Sequence, residues 1–540
     1  MGATEMTNCD ALESPPARIE SPYVHAADTE HVTILVTPQG DEQLYQGNIH
    51  ITLTLPHAVT RLKPGMTLKL LPGKYYGAVE LVRKKGIVNK DEQKPIIIEG
   101  CRDADGQLLS HLCGTNAAGS IYPDLPTRSD YAFFKLRECE HIIIRDLQAE
   151  SCWPSLIYAE ATSNLALERL DVTDGSYVLF ARGPGAHHLR IADCHWNQDP
   201  TGAMWSVIDW DMIHHGSYAY YNGALAGGID VHGNVEVVGN TVRNAFNGVR
   251  FTTSSDDCVD ILGRYNVNVR VHRNTFENIR DNAVEPEKTL LNWHIHDNHI
   301  KNTHAAFSFH DYHGGFLYVY DNELWFDDRG GSDFQGNRGG KIYKLRHKGP
   351  MPQFPVHIFH NSLYSRNFLI KKTQTRNLLH RNNAVQFCDP RDYEACLCRD
   401  DRKLLYQFPV DRHKKPIDWD TSVTFDGDAS SKPFGALKGK HNQEQNGLVV
   451  RDLGFAAPQA GDFTLTAASP LHDAGLVFTL AADKDLPPGQ AAWTNSPVRT
   501  PPNIGSTQKN GRMALPIVPM TEDEINALLK TEPAFASGQS

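Results

Sequence analysis

One phrase recurs through the middle of this chain, an apolar strand of alternating residues closed by asparagine. It reads NVEVVGNTVRN (234–244), NVRVHRNTFEN (268–278), WHIHDNHIKN (293–302), LYVYDNELWF (317–326) and VHIFHNSLYS (356–365). The closing residues Asn240, Asn274, Asn298, Asn322 and Asn361 are spaced by 34, 24, 24 and 39 residues. Weaker copies at 141–150, 164–174 and 188–197 extend the pattern upstream. Period-two alternation means that each short strand buries one face. A unit of this size cannot bury that face alone and has to stack on its neighbours. The expectation is an all-β chain wound as a β-solenoid. Asparagine at one corner of each coil is expected to adopt the left-handed conformation and hydrogen-bond its counterparts above and below. A propeller would need a more constant interval.

Composition sets the boundaries. Of 540 residues, 40% are hydrophobic and 22% charged, and no stretch approaches a membrane span of about 18 apolar residues. Lys plus Arg number 53 against 64 Asp plus Glu, a net charge of −11, which argues against nucleic acid as a partner. A polyanion would have to be met by a local basic cluster. The ten cysteines include no CxxC pair, so they do not form a zinc array. Cys101 with Cys113, and Cys388 with Cys396 or Cys398, are close enough in sequence to bridge, as in an exported protein. Buried thiols in a reducing compartment are the alternative. The start, MGATEMTNCDALESPP, has no basic residues leading into an apolar stretch, so no signal peptide is visible. The expected organisation is an N-terminal segment and cap over 1–54 and a coil stack over 55–475, with an irregular insertion near 400–450. A Pro-rich tail over 476–540 follows, with one amphipathic helix at 521–531 behind Thr521.

Two further phrases bear on the architecture. LKPGMTLKLLPGKYYGAVEL (62–81), followed by KPIIIEG (94–100), resembles the entry coil of right-handed parallel β-helix polysaccharide enzymes, and DFTLTAASPLHDAG (462–475) is similar to the phrase that closes them. With the repeats between them, the likeness covers roughly residues 55 to 475. It implies a right-handed parallel β-helix with irregular loops, a polysaccharide substrate, and a periplasmic or secreted setting.

Aligning the segments that follow each asparagine brings distant residues into columns. NGVRFT (247–252), NAVEPE (282–287), AFSFH (306–310) and YKLR (343–346) place Arg250, Glu285, Ser308 and Lys344 in one column, and Thr252, Glu287, His310 and Arg346 in the next. Neighbouring coils are about 4.8 Å apart and i, i+2 partners about 6.5 Å apart. A slip of one residue would turn a segment's set inward. Aromatic and His residues crowd the same coils, with Trp210, His214, Tyr220, Tyr312 and His313 as candidate sugar contacts beside Arg250 and Lys288. A surface ion-pair ladder is the bland alternative.

Glu285 and Glu287 on one strand face repel unless a cation or a shared proton relieves them. Calcium, Arg250 or Lys344 would serve. The Glu-x-Glu element resembles the calcium-binding pair of the chondroitinase B and alginate lyase family, completed there by an asparagine one coil earlier. That likeness implies a Ca2+ site of Glu285, Glu287 and Asn247, with Asn282 as the other amide. The family's catalytic Lys lies a few residues beyond the second Glu and its Arg one coil on. Here Lys288 follows Glu287 directly, and His310 with His313 stands on the later coil, leaving Lys344 and Arg346 as cations.

β-Elimination from a uronate needs a neutralised carboxylate, a base for the C5 proton and an acid for the leaving oxygen. Arg250 and Arg346 or a metal, then His310 or Lys344, then a neighbouring His or Tyr would fill these roles. An inverting hydrolase using Glu285 with Glu287, or Asp209 with Asp211, is the rival, since i, i+2 carboxylates sit at the short end of the roughly 6.5–9.5 Å such enzymes need. A non-catalytic glycan-binding β-helix is the third possibility. SSDDC (254–258) resembles the paired Asp of polygalacturonases, but the basic motifs that should follow it are absent. Paired histidines such as His294 and His296 lack a third ligand fixed by spacing and are expected to pack along the stack.

Overall fold

The computed structural model describes residues 19–20, 23–25, 32–45, 48–114, 131–198, 222–310, 312–326, 341–346, 352–365, 369–373, 375–388, 422–434, 443–482, 484–495, 501–507, 515 and 518–531. They form two compact units, Met1–Val231 with Glu236–Phe246, and His232–Val235 with Asn247–Ser540.

In the first unit each coil contributes three short strands, and each strand pairs in parallel with its equivalent on the next coil. One wall runs through Ile96–Glu99, Glu140–Arg145, Ser163–Glu168 and His187–Ala192, so that Ile98, Ile144, Leu167 and Ile191 stack in register. A second runs through Ala132–Arg137, Ser155–Glu160, Tyr177–Arg182 and Ala224–Ile229. The third runs through Ser110–Cys113, Gln148–Glu150, Asp171–Thr173, His195–Asn197 and Thr241–Arg243. This is a parallel β-helix, as the alternation requires. Inward residues of adjacent coils meet like with like, and the stacked isoleucines and leucines are at most 1% exposed. The first wall continues back to Val32–Val36 on Met66–Leu70, and a short helix, Leu55–Arg61, buries Leu55, Ala58 and Val59.

The second unit repeats the plan. One wall passes through Val267–His272, Lys288–His296, Tyr312–Tyr320, Val356–Phe359, Leu378–Arg381 and Thr424–Asp426. Asn247–Thr252, Thr275–Pro286, His299–His310 and Lys341–Arg346 form the wall that carries the charged columns. At the corner of these coils the side-chain amide and backbone N–H of Asn274 both donate to Asn298 Oδ1, at 3.0 and 3.1 Å. Asn298 donates likewise to Asn322, Asn322 to Asn361, and Asn361 to Asn383. Asn383 ends the ladder on Asp428, whose other oxygen meets His380.

The ladder departs from expectation in one respect. The left-handed residue at each corner is the one before the asparagine: Arg273, Asp297, Asp321, His360 and Asn382 have φ between 52° and 55°. A sharp corner needs a single left-handed residue. With that residue one position earlier, the asparagine side chain turns into the stack, where all five asparagines are at most 0% exposed. A second asparagine column, Asn234, Asn268 and Asn292, stacks amide on amide at 3.0 and 2.8 Å and is left-handed at each member.

The tail braces the second unit. Asn268 and Met520 exchange two hydrogen bonds, Tyr318 donates to the Asp485 carbonyl, and Phe478, Leu486, Leu515 and Ile525 join one apolar cluster with Tyr318 and Phe359. The expected capping box closes Glu522–Thr531, with Glu524 N–H on Thr521 Oγ1 and Thr521 N–H on the Glu524 carboxylate. His294 stacks on Tyr318, and His272 on His296, which stacks on Tyr320, so these histidines pack as expected. Both suggested short-range disulfides are corrected, because Cys113 and Cys388 are free thiols. Cys101 is disulfide-bonded, to a different cysteine. Among the described residues, no helix is long and apolar enough to cross a membrane.

Candidate active site

Backbone register brings the first column together. Arg250 lies opposite Glu285, Val284 pairs with Phe307 so that Glu285 falls level with Ser308, and Ser308 lies opposite Lys344. The alternating partners Val249, Phe251, Phe307, Phe309, Tyr343 and Leu345 fill the interior at 0–1% exposure. That burial fixes the phase: a one-residue slip would put Glu285 and Lys344 in the core. In the second column His310 lies opposite Arg346, placed by register alone.

One guanidinium serves both glutamates. Arg250 Nη2 donates to Glu287 Oε2 at 2.7 Å, and its Nε lies 3.4 Å from Glu285 Oε2. On the other side Lys344 Nζ is 3.9 Å from Glu285 Oε1, which also accepts a 2.8 Å hydrogen bond from the Asn282 amide. Glu285 is 3% exposed, as is Asp281 on the same strand, while Arg250 and Glu287 keep about a quarter of their side-chain surface in solvent. The alternation of Asp281, Ala283 and Glu285 is the signal by which Asp281 could have been found in the sequence.

The electrostatics follow from this packing. Asp281 and Glu287 offset Arg250 and Lys344, leaving Glu285 as the odd carboxylate. Burial, reinforced by the like charges of Glu287 and Asp281, pushes its carboxyl up to about 8 against the pull of Arg250 and Lys344. Glu285 therefore keeps its proton to higher pH than an ordinary glutamate. Burial opposes the charge on Lys344, but Asp281, Glu285 and Glu287 outweigh it and hold the ammonium above its ordinary value. Three buried polar atoms beside them, Ser308 Oγ, Asn282 Oδ1 and Asp281 Oδ1, have no hydrogen-bond partner among the described residues. A bound ligand or an ordered water would satisfy them.

Other candidates are placed differently. Asn247 Oδ1 accepts the Asn282 backbone N–H at 3.2 Å, so it supports the strand that carries the acids. Lys288 ties down the turn before it, donating to the Thr253 carbonyl and Asp256 at 2.9 and 2.8 Å. Tyr312 and His313 are corrected as sugar contacts, being 0% and 2% exposed, with Tyr312 edge-on to Phe309. Tyr312–Tyr320 pairs in parallel with Lys288–His296 of the previous coil, a close approach in which a Cβ on Gly314 would collide with the Leu290 carbonyl. Trp210, His214, Tyr220, Asp209 and Asp211 lie outside the described residues.

No protein family matches the sequence, and no curated protein matches it. Solved structures similar to it include the PL6 family alginate lyase AlyGC, with 13% identity and a TM-score of 0.40 over 81% of this chain and 57% of that one. Pectate lyase Pel9A follows, with 10% identity and a TM-score of 0.39 over 92% and 98%. The family 28 exopolygalacturonase of Yersinia enterocolitica has 9% identity and a TM-score of 0.35 over 62% and 72%. The chain thus spans little more than half of AlyGC. Likeness at this level leaves the chemistry to be read from the site itself.

Proposed function

We propose that the face bearing Arg250, Glu285 and Lys344 degrades an acidic polysaccharide by β-elimination at a uronate. The observation that carries this reading is a buried Glu285 set between two cations, its carboxyl pushed upward by burial, with polar atoms beside it that have no hydrogen-bond partner among the described residues. Lys344, held charged and only loosely engaged by Glu285, neutralises the substrate carboxylate, and Arg346 on the adjacent column assists. With that carboxylate neutralised, the C5 proton becomes acidic enough to pass to a base, for which His310 is the candidate. The C5–H electron pair forms the C4–C5 double bond, the C4–O bond breaks, and Glu285 supplies the proton that the leaving oxygen takes. Arg250 donates to Glu287 at 2.7 Å and so stays beside Glu285 throughout.

Calcium is the second reading, favoured by the Asn282 amide oxygen that has no hydrogen-bond partner among the described residues. Glu285, Glu287 and Asn282 would be its donors, with Arg250 displaced from Glu287. Such an ion would supply the charge that neutralises the substrate carboxylate. A polysaccharide of this kind is met outside the cytoplasm, and the Cys101 disulfide suits that setting.

The test is turnover of polyuronates by Glu285→Ala, Glu287→Ala, His310→Ala and Lys344→Ala proteins that remain folded. Loss of product in most of them is expected. Full activity in all four would remove this face from consideration.

A further inference from the structure

We propose that the first unit carries a binding site for one zinc-class divalent ion, held by His111, Cys113 and Glu150. Ser110–Cys113 pairs in parallel with Gln148–Glu150, setting Cys113 opposite Glu150 and His111 opposite Gln148. Because side chains alternate, His111 and Cys113 project from the same face of their strand, and Glu150 reaches them from the next coil. Cys113 Sγ lies 3.4 Å from Glu150 Oε1, and His111 Nε2 lies 3.6 Å from Glu150 Oε2. One ligand atom from each of the three falls within 4.8 Å of the other two. A tetrahedral ion with ligands at about 2.0–2.3 Å has edges of about 3.5 Å, so the side chains need little movement to close on it.

The chemistry of the donors selects the ion. Imidazole, thiolate and carboxylate together suit zinc and its neighbours, whereas calcium and magnesium take oxygen ligands throughout. On binding, the metal replaces the proton of the Cys113 thiol, which leaves to solvent. Lys74, whose Nζ is 3.5 Å from Glu150 Oε1 and whose side chain is 57% exposed, neutralises that carboxylate in the free protein and swings away when the ion enters. Three protein ligands leave a fourth position for water or another small ligand, as in zinc sites that act on substrates. The column that begins at His111 continues through Gln148 and Asp171 to His195, and these last three line a cleft of about 500 Å3. The site is independent of the Glu285 chemistry and stands or falls separately.

The experiment uses the full chain, freed of metal with a chelator, held under argon and titrated with Co2+. One equivalent should bind and produce a near-ultraviolet sulfur-to-cobalt charge-transfer band, which Zn2+ then displaces. Cys113→Ser should abolish the band. Because Cys113 is buried, His111→Asn and Glu150→Gln provide the second measurement: both side chains are partly exposed, and each change should weaken Co2+ binding by at least about tenfold. A wild-type protein with no band, a band that survives Cys113→Ser or resists Zn2+, or unchanged affinity in both exposed-ligand variants would each overturn the proposal.

Discussion

Replacing Asn322 with alanine tests whether the asparagine ladder holds the coils of the second unit in register. Asn322 Oδ1 accepts the backbone N–H and the amide of Asn298 at 3.1 and 2.9 Å. Its own amide donates to Asn361 Oδ1 at 2.9 Å and to the carbonyls of Ile295 and Tyr320, both at 3.0 Å. Truncation leaves the Asn298 N–H without its acceptor at a position that is 0% exposed. An orphaned buried donor costs about 1–3 kcal/mol, and each hydrogen bond lost with it about 1 kcal/mol. The Asn298 amide keeps the Val271 carbonyl, so the full set is not lost. The expected destabilisation is about 3–5 kcal/mol. Asn322→Asp should be at least as damaging, because it turns an amide donor into a carboxylate facing two carbonyls and Asn361 Oδ1. At the ladder's end Asp428 is accommodated because Asn383 donates to it, His380 pairs with it and Glu444 hydrogen-bonds it. Urea unfolding against the exposed control Asn446→Ala, with amide exchange at Asn298, measures the effect. A loss below about 1 kcal/mol with unchanged exchange at Asn298 would show that the ladder does not hold the coils.

Further outcomes follow from the charged column. A glutamate raised from 4.5 to about 8 contributes stability that is fully present below pH 4.5 and lost as pH rises through about 8. Glu285→Gln should therefore flatten the fall of Tm across that window while lowering turnover by about 10²–10⁴-fold, and an unaltered Tm profile would contradict a protonated Glu285. Lys344→Met removes a charge that pulls the Glu285 carboxyl down, so the alkaline limb of the remaining activity should move upward; a downward shift would count against the pairing. Dialysis against EDTA should leave the rate unchanged if Arg250 and Lys344 supply the positive charge, whereas a loss restored by Ca2+ would favour the calcium reading. Thr521→Ala should cost about 1 kcal/mol through the lost cap, read as faster exchange in Glu522–Thr531; unchanged exchange would discount the capping box.

The coil stack was legible because asparagine recurs at one corner and because alternation fixes which side chains face inward. Once Val284, Phe307 and Tyr343 are assigned to the core, Arg250, Glu285, Ser308 and Lys344 must share the opposite face. What stayed hidden depends on bends in the chain. Nothing local in FSFHDYHGGFLY indicates that the strand ends before Tyr312 and that the next buries Tyr312 and His313; only Gly314 and Gly315, at φ 117° and 142°, hint at a close approach. The left-handed residue was misplaced by one position because Asn, Asp, His and Arg all occupy it, so composition gives no fixed mark. His111, Cys113 and Glu150 are separated by a coil of the chain, and their meeting depends on the register of two short strands.

Elimination at this face is decided by the products the intact protein releases from polyuronates such as alginate and polygalacturonate. The expected products are fragments with a C4–C5 double bond, seen as new ultraviolet absorbance rising in step with reducing ends. Reducing ends without that absorbance would show hydrolysis, and tight binding with no fragments would show a glycan-binding protein. Either result would contradict elimination at Glu285 and Lys344.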